Sequence, residues 1–174
     1  MSTDRQPRHL APTAHTPGEA TADAYRQGAD RPLGAFLALL GAYGAAVGAG
    51  AVVVRRRGGL ANRLGAADTA LLTAATFQVS RVIAKSAVTS PLRAPFARFE
   101  GTSGEAELQE AVRGSGAHKA VGELLTCPFC IGQWVATGFA FGFIIAPRAT
   151  RLAATVVTAV GGADVLHLLY DKLQ

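Results

Sequence analysis

Two stretches of this chain carry no formal charge over lengths that match a lipid bilayer. Leu33–Val54 and Leu124–Pro147 contain no Asp, Glu, Lys or Arg. At ~1.5 Å per residue, a helix of either length crosses the ~30 Å hydrocarbon layer. Backbone N–H and C=O groups in lipid must be satisfied internally, which restricts such runs to helices. A further run, Leu152–Tyr170, is also of spanning length and carries Asp164 and His167 near its far end. The expected fold is all-α: a small multi-pass helical membrane bundle of three to four transmembrane helices behind a disordered N-terminal tail.

Charged residues make up 17% of the chain, against roughly 25% in soluble domains. Hydrophobic residues make up 49% and the mean hydropathy is +0.25. Ala and Gly supply much of that fraction and contribute little burial energy of their own. The net charge of +5 and pI of about 9.8 reflect basic residues crowding the flanks of apolar runs, as membrane insertion requires. No basic stripe is interleaved with aromatics, so nucleic acid is not an expected partner. Two cysteines exclude a disulfide-rich scaffold. No secretory signal peptide is expected, because the first apolar run follows a polar stretch and has no A-x-A cleavage pattern after it.

Residues 1–31 are rich in Pro, Thr, Ala and charge and are expected to be a disordered tail. Residues 32–174 form the membrane domain, with runs at 33–54, 64–84, 124–147 and 152–170 and a polar loop at 88–120. Gly44 and Gly48 form a G-x-x-x-G pair in the first run, a spacing that lets helix backbones approach closely in lipid. Arg55, Arg56, Arg57 and Arg63 follow.

The run 64–84 is amphipathic. Asp68 can cap its start by accepting backbone N–H bonds. Leu71, Leu72, Ala75, Val79, Val82 and Ile83 keep helical spacing, while Thr69, Thr73, Thr76 and Ser80 share another face. Pro91 and Pro95 break helix in the polar loop. Glu105, Glu107 and Glu110 suggest one short surface helix there. Pro128 fits a first helical turn, Pro147 is expected to stop that helix, and Arg148 and Arg151 to occupy a turn.

If run 64–84 lies beside the spans, Arg55 to Lys119 fall on one side of the membrane. The positive-inside rule then puts that side, with the Cys127 end, in the cytoplasm. If it crosses, the Arg55–Arg57 cluster and the Arg93/Arg98 loop face opposite sides, and the rule separates those sides only weakly. The expected location is the bacterial cytoplasmic membrane, with the Cys127 end at the cytoplasmic face.

The sharpest chemical feature is Cys127-Pro128-Phe129-Cys130. The i, i+3 spacing puts both thiols on one helix face. Unpaired N–H groups and the macrodipole at a helix start favour a thiolate there, as in C-x-x-C oxidoreductases. The quartet resembles the glutaredoxin pattern over those four residues alone, and no strand precedes Cys127 to supply a βαβ context. A redox role would use Cys127 as attacking thiolate and Cys130 as resolving thiol. A zinc site would need further ligands, for which His118 and His167 are the candidates. Ionisable groups in membrane helices usually face a partner or a cavity. For Asp164 and His167 the candidate partners are Arg81, Thr76 and Ser80. Basic residues within Arg81–Phe99 are positioned to meet anionic lipid headgroups.

Three segments together resemble a known group: SRVIAKSAVTSPLRAPFARFEG at Ser80–Gly101, GELLTCPFCIGQW at Gly122–Trp134 and ADVLHLLYDKL at Ala163–Leu173. They are similar to the bacterial membrane-protein family catalogued as domain of unknown function 1360, which includes a sporulation-associated member. The matching residues are Arg81, Arg93, Pro95, Cys127, Pro128, Cys130 and Trp134. The resemblance implies a small multi-pass membrane protein and leaves catalysis open. The expected function is a non-enzymatic scaffold or interaction protein, in contact with the bilayer and self-associating through its Gly/Ala helix faces. The alternatives are a membrane thiol-redox protein using Cys127 and Cys130, and a metal-binding membrane protein. No cofactor is expected.

Overall fold

The computed structural model describes residues 17–58, 64–104 and 107–174. Its elements run α1 (Pro17–Arg26), α2 (Leu33–Arg56), α3 (Ala66–Lys85), α4 (Ser90–Arg93), β1 (Ala97–Gly104), β2 (Glu107–Val112), α5 (Gly116–Thr126), α6 (Pro128–Ile145) and α7 (Pro147–Lys172). Helix dominates, and the two strands form one small antiparallel sheet. Helices α2, α6 and α7 are long and apolar enough to cross a membrane, by length and composition.

Cross-helix contacts fix the directions. Asp68, Leu71 and Gln78 of α3 meet Arg151, Thr158 and Asp164 of α7 in that order, so α3 and α7 run parallel. Ser80, near the end of α3, faces Gly132, near the start of α6, so α3 and α6 run antiparallel. Tyr43 bonds Thr137, and Gly50 faces Phe141, so α2 and α6 run parallel. The result is an up-down-up-down bundle. Arg55 and Arg56 lie at one end, and the polar segment 86–127 with Cys127 lies at the other.

The core is where α3, α6 and α7 meet. Leu72, Ala75, Phe143 and Ala154 are buried there, with Leu71, Phe139 and Val157 packed around them. Each apolar helix keeps most of its surface outside, with only 6% of each candidate span's window buried. In water that arrangement would leave many Leu, Val and Phe side chains wet, each forgoing about 1.5–3 kcal/mol of burial. Helix α2 is held through small contacts: a Cβ on Gly50 would lie 2.5 Å from the Phe141 ring. Gly44 and Gly48 face open space, so the G-x-x-x-G pair is not what joins α2 to α6.

Several expectations are corrected. Within the tail expected over 1–31, residues 17–26 form α1. Ala-rich sequence favours it, an Asp23–Arg26 ion pair supports it, and Gln27 and Gly28 end it at positive φ. Residues 1–16 and Arg63 lie outside the described residues. The polar loop 88–120 is built, carrying α4, the sheet and α5. Glu107 and Glu110 sit on β2 instead of a surface helix, and Glu105 lies outside the described residues. Arginines decide this: Arg81 binds Glu107 and Arg93 binds Glu110, and those ion pairs override the weak local helix preference. Helix α6 stops at Ile145, just ahead of Pro147 as expected, but no turn follows Pro147. It begins α7, so Arg148 and Arg151 are helical. Ala146 alone makes the α6–α7 corner, and its N–H bonds the Gly142 carbonyl at 2.7 Å.

Candidate functional site

Cys127 is the joint between α5 and α6. Its backbone is extended (φ −103, ψ 109), and Pro128 takes the first helical position. A missing N–H costs nothing there. The Cys127 sulfur accepts the N–H of Cys130 at 3.3 Å, and the two sulfurs are 2.7 Å apart. Cys127 is half-buried and Cys130 exposed; both are free thiols. Phe129, between them, is 92% exposed. Around the joint, Arg31 binds Glu123 at 3.3 Å and Lys119 binds Asp30, tying the entry to α2 onto α5.

One turn further into α6, Trp134 meets Tyr43 edge-on with ring centroids 5.2 Å apart. Gln133 donates to the Tyr43 hydroxyl at 3.1 Å, and the Tyr43 and Thr137 hydroxyls are 2.7 Å apart. Leu39, Leu40, Tyr43, Cys130, Gln133 and Trp134 line a cavity of about 400 Å³ between α2 and α6. Sequence patterning missed Tyr43 and Gln133, which are isolated polar side chains on otherwise apolar helices.

A second cluster sits where α3 meets α7 and β2. Gln78, 4% exposed, donates to Asp164 at 2.7 Å. Arg81 donates to Glu107 at 2.6 Å. Both pairs border one cavity of about 250 Å³. The expected partners of Asp164 are therefore corrected: Gln78 occupies that place, Arg81 is turned to β2, and Ser80 donates to the Phe77 carbonyl. His167 is exposed on the next turn of α7.

Arg93 has no solvent exposure. Its guanidinium donates to Glu110, to the Ile83 and Ser86 carbonyls and to the Thr89 hydroxyl. It closes the C-terminus of α3, where carbonyls lack helical partners. A headgroup-binding role for Arg93 is thereby corrected, because every direction of the guanidinium faces protein. Pro95 is exposed, and its carbonyl accepts from Arg113 at 3.2 Å.

The structure does not bring the metal candidates together. His118 bonds the Arg113 carbonyl and packs against Phe96, and His167 is on α7. Among the described residues, no group of three or more His, Cys, Asp or Glu side chains is placed to hold a metal ion.

At the opposite end, Arg151 binds Asp68 through two contacts of 2.9 and 3.2 Å and lies 4.5 Å above the Phe143 ring. The Arg151 hydrogen bonds hold the Asp68 carboxyl below its ordinary range. Partial burial opposes them and the Gly65 N–H adds to them.

Comparison with known proteins matches this architecture from within α3 to the end region of α7. Over 105 residues the chain is 27% identical to Sporulation protein YjcA of Bacillus subtilis (strain 168), covering 59% of this chain and 89% of the relative. No solved structure matches. The family described as "Protein of unknown function (DUF1360)" matches residues 71–170, including Arg81, Arg93, the Cys127–Cys130 pair and Asp164. The chain belongs to that family, DUF1360.

Proposed function

We propose that this chain is a multi-pass protein of the bacterial cytoplasmic membrane that works by thiol–disulfide exchange at the lipid–water boundary. The observation that carries this reading is the 2.7 Å approach of the two sulfurs at the start of α6, with Cys130 exposed. A partner thiolate attacks the Cys127 sulfur of the Cys127–Cys130 disulfide and releases the Cys130 thiolate. The partner's second thiolate then attacks its own sulfur in the mixed disulfide, releasing the Cys127 thiolate and leaving a partner disulfide. The partner is oxidised by two electrons and the pair is reduced by two, so each turnover leaves a dithiol to be reoxidised.

The Cys127 end carries Arg26, Arg31, Lys85, Arg93, Arg98, Arg113 and Lys119, and the positive-inside rule supports a cytoplasmic orientation for it. The other end carries Arg55, Arg56, Arg57, Arg148 and Arg151. Labelling intact cells with a membrane-impermeant maleimide tests membrane insertion, sidedness and reactivity together. The thiols should stay unlabelled until the cells are permeabilised, and then react unless first oxidised with diamide. Labelling in intact cells would reverse the orientation. Release of the protein by alkaline carbonate would remove the membrane reading. Two thiols that diamide cannot join would remove the exchange reading.

A second reading is a non-enzymatic scaffold that self-associates. It is supported by Gly44 and Gly48 of α2, which face open space and would admit a second helix closely. Gly44→Ile with Gly48→Ile should convert a dimer to a monomer in detergent. An unchanged oligomeric state would exclude α2 as the contact.

A further inference from the structure

The cavity beside Cys130 has a composition that specifies its occupant. Its lining from α2 and α6 contains no charged side chain. It sits within the first two turns of α6, ~9 Å along a helix at the standard rise, next to the lipid–water boundary of the reading above, where a lipid-soluble ligand can reach it. Its volume of about 400 Å³ falls in the range of small-molecule sites. Tyr43 and Trp134 supply an aromatic wall, suited to a planar ring.

The polar groups narrow it further. The Thr137 hydroxyl donates to the Gln133 backbone carbonyl at 2.9 Å. Tyr43 must then donate to Thr137, and Gln133 donates to Tyr43. That closed chain uses the Tyr43 and Thr137 hydrogens and one N–H of Gln133. The second N–H of the exposed Gln133 amide stays available one turn from Cys130, inside an apolar helix, where an unmet polar group is costly. A neutral, planar, lipid-soluble ligand with a ring carbonyl meets this donor and can also accept the two electrons of a dithiol.

We infer that the α2–α6 cavity is a quinone site and that a lipid-soluble quinone is the oxidant of the Cys127–Cys130 pair. This inference rests on the thiol-exchange reading above. The Cys130 sulfur adds to a ring carbon as its thiol proton passes to a carbonyl oxygen, forming an S–C bond. The Cys127 thiolate then attacks the Cys130 sulfur, forming the S–S bond as the S–C bond breaks. The electron pair stays on the ring, which takes up the two thiol protons and leaves as quinol. Gln133 holds the carbonyl and is a positioning residue.

The test uses the reduced full-length protein in detergent micelles and a decyl-substituted benzoquinone with every ring carbon substituted, which blocks stable conjugate addition. One quinol should form per two thiols lost, with a rate that saturates in quinone. Gln133→Leu should slow the reaction at least tenfold at low quinone, while oxidation by diamide keeps its rate. Trp134 is the single Trp of the chain, so its fluorescence reports occupancy, and the quinone should quench it saturably. The Cys127→Ser/Cys130→Ser variant should keep that quenching. Non-saturable quenching, or equal quinone rates in wild type and Gln133→Leu, would overturn the site. Saturable quenching with thiols that neither quinone nor diamide oxidises would keep the cavity as a ligand site, end its redox role and sink the exchange reading. Oxidation by diamide alone, without quinone oxidation, would spare the exchange reading and sink the quinone.

Discussion

Arg93 and Glu110 form an ion pair sealed from solvent: Nε lies 2.5 Å from Oε2, with the side chains 0% and 7% exposed. It joins the end of α3 to β2 and sets the polar segment 86–127 on the bundle. Glu110→Ala would strand a buried guanidinium, which costs about 3–5 kcal/mol. Thermal unfolding in detergent should show that loss. Arg93→Met with Glu110→Leu should recover only part of it: the apolar pair removes the stranded charge, but the Ile83 and Ser86 carbonyls lose the donor that Arg93 supplies. A single variant as stable as wild type would show that the pair does not organise the platform.

Asp68 and Arg151 give the opposite end a pH dependence. The folded Asp68 carboxyl is depressed, chiefly by the Arg151 hydrogen bonds. Its contribution is therefore fully present above the unfolded carboxylate value of about 3.9 and is lost as pH falls through the lower folded value. Melting temperature should drop over that acid window in wild type. Asp68→Asn should start lower at neutral pH and lack this component. Parallel pH profiles for the two proteins would contradict the linkage.

Gly50 marks where α2 touches α6. A Cβ there meets the Phe141 ring at 2.5 Å, and overpacking costs typically about 1–3 kcal/mol. In a background lacking Cys127 and Cys130, Tyr43→Cys with Thr137→Cys should cross-link readily. Gly50→Ile should slow that cross-link, whereas Gly44→Ile, facing open space, should leave it alone. Equal cross-linking in both would place the helix contact elsewhere.

Gln78 is the sole hydrogen-bond partner identified for the Asp164 carboxylate among the described residues. Gln78→Leu should destabilise the bundle by about 1–3 kcal/mol, the cost of leaving a buried group without its partner. Asp164→Asn should cost less, because its amide oxygen still accepts from Gln78. Identical losses for the two variants would mean that the hydrogen bond is not what Gln78 contributes.

Some of the site was legible in order. Cys127 and Cys130 had to share a helix face by their spacing, and Pro128 had to stand in a first turn because it lacks an N–H. Asp68 was legible as a helix-start acceptor, and it does accept the Gly65 N–H, at 3.3 Å. Glu107 and Glu110 were not legible, because their strand depends on arginines remote in sequence. Gln78 was missed for a related reason: a single Gln on an apolar helix has no local pattern, and its partner lies 86 residues away.

Absence of charge over Leu33–Val54 and Leu124–Pro147 determined by itself that each run holds a long apolar helix, α2 in the first and α6 in the second, because backbone polarity in an apolar medium allows no other open-chain solution. Hydrophobic period and proline placement likewise set where α3 and α6 begin. Tertiary structure alone decided the up-down-up-down order, the strand pairing in 97–112 and the meeting of Tyr43, Gln133 and Trp134 beside Cys130. Those outcomes rest on directional contacts between side chains far apart along the chain, and neither local propensity nor periodicity contains information about them.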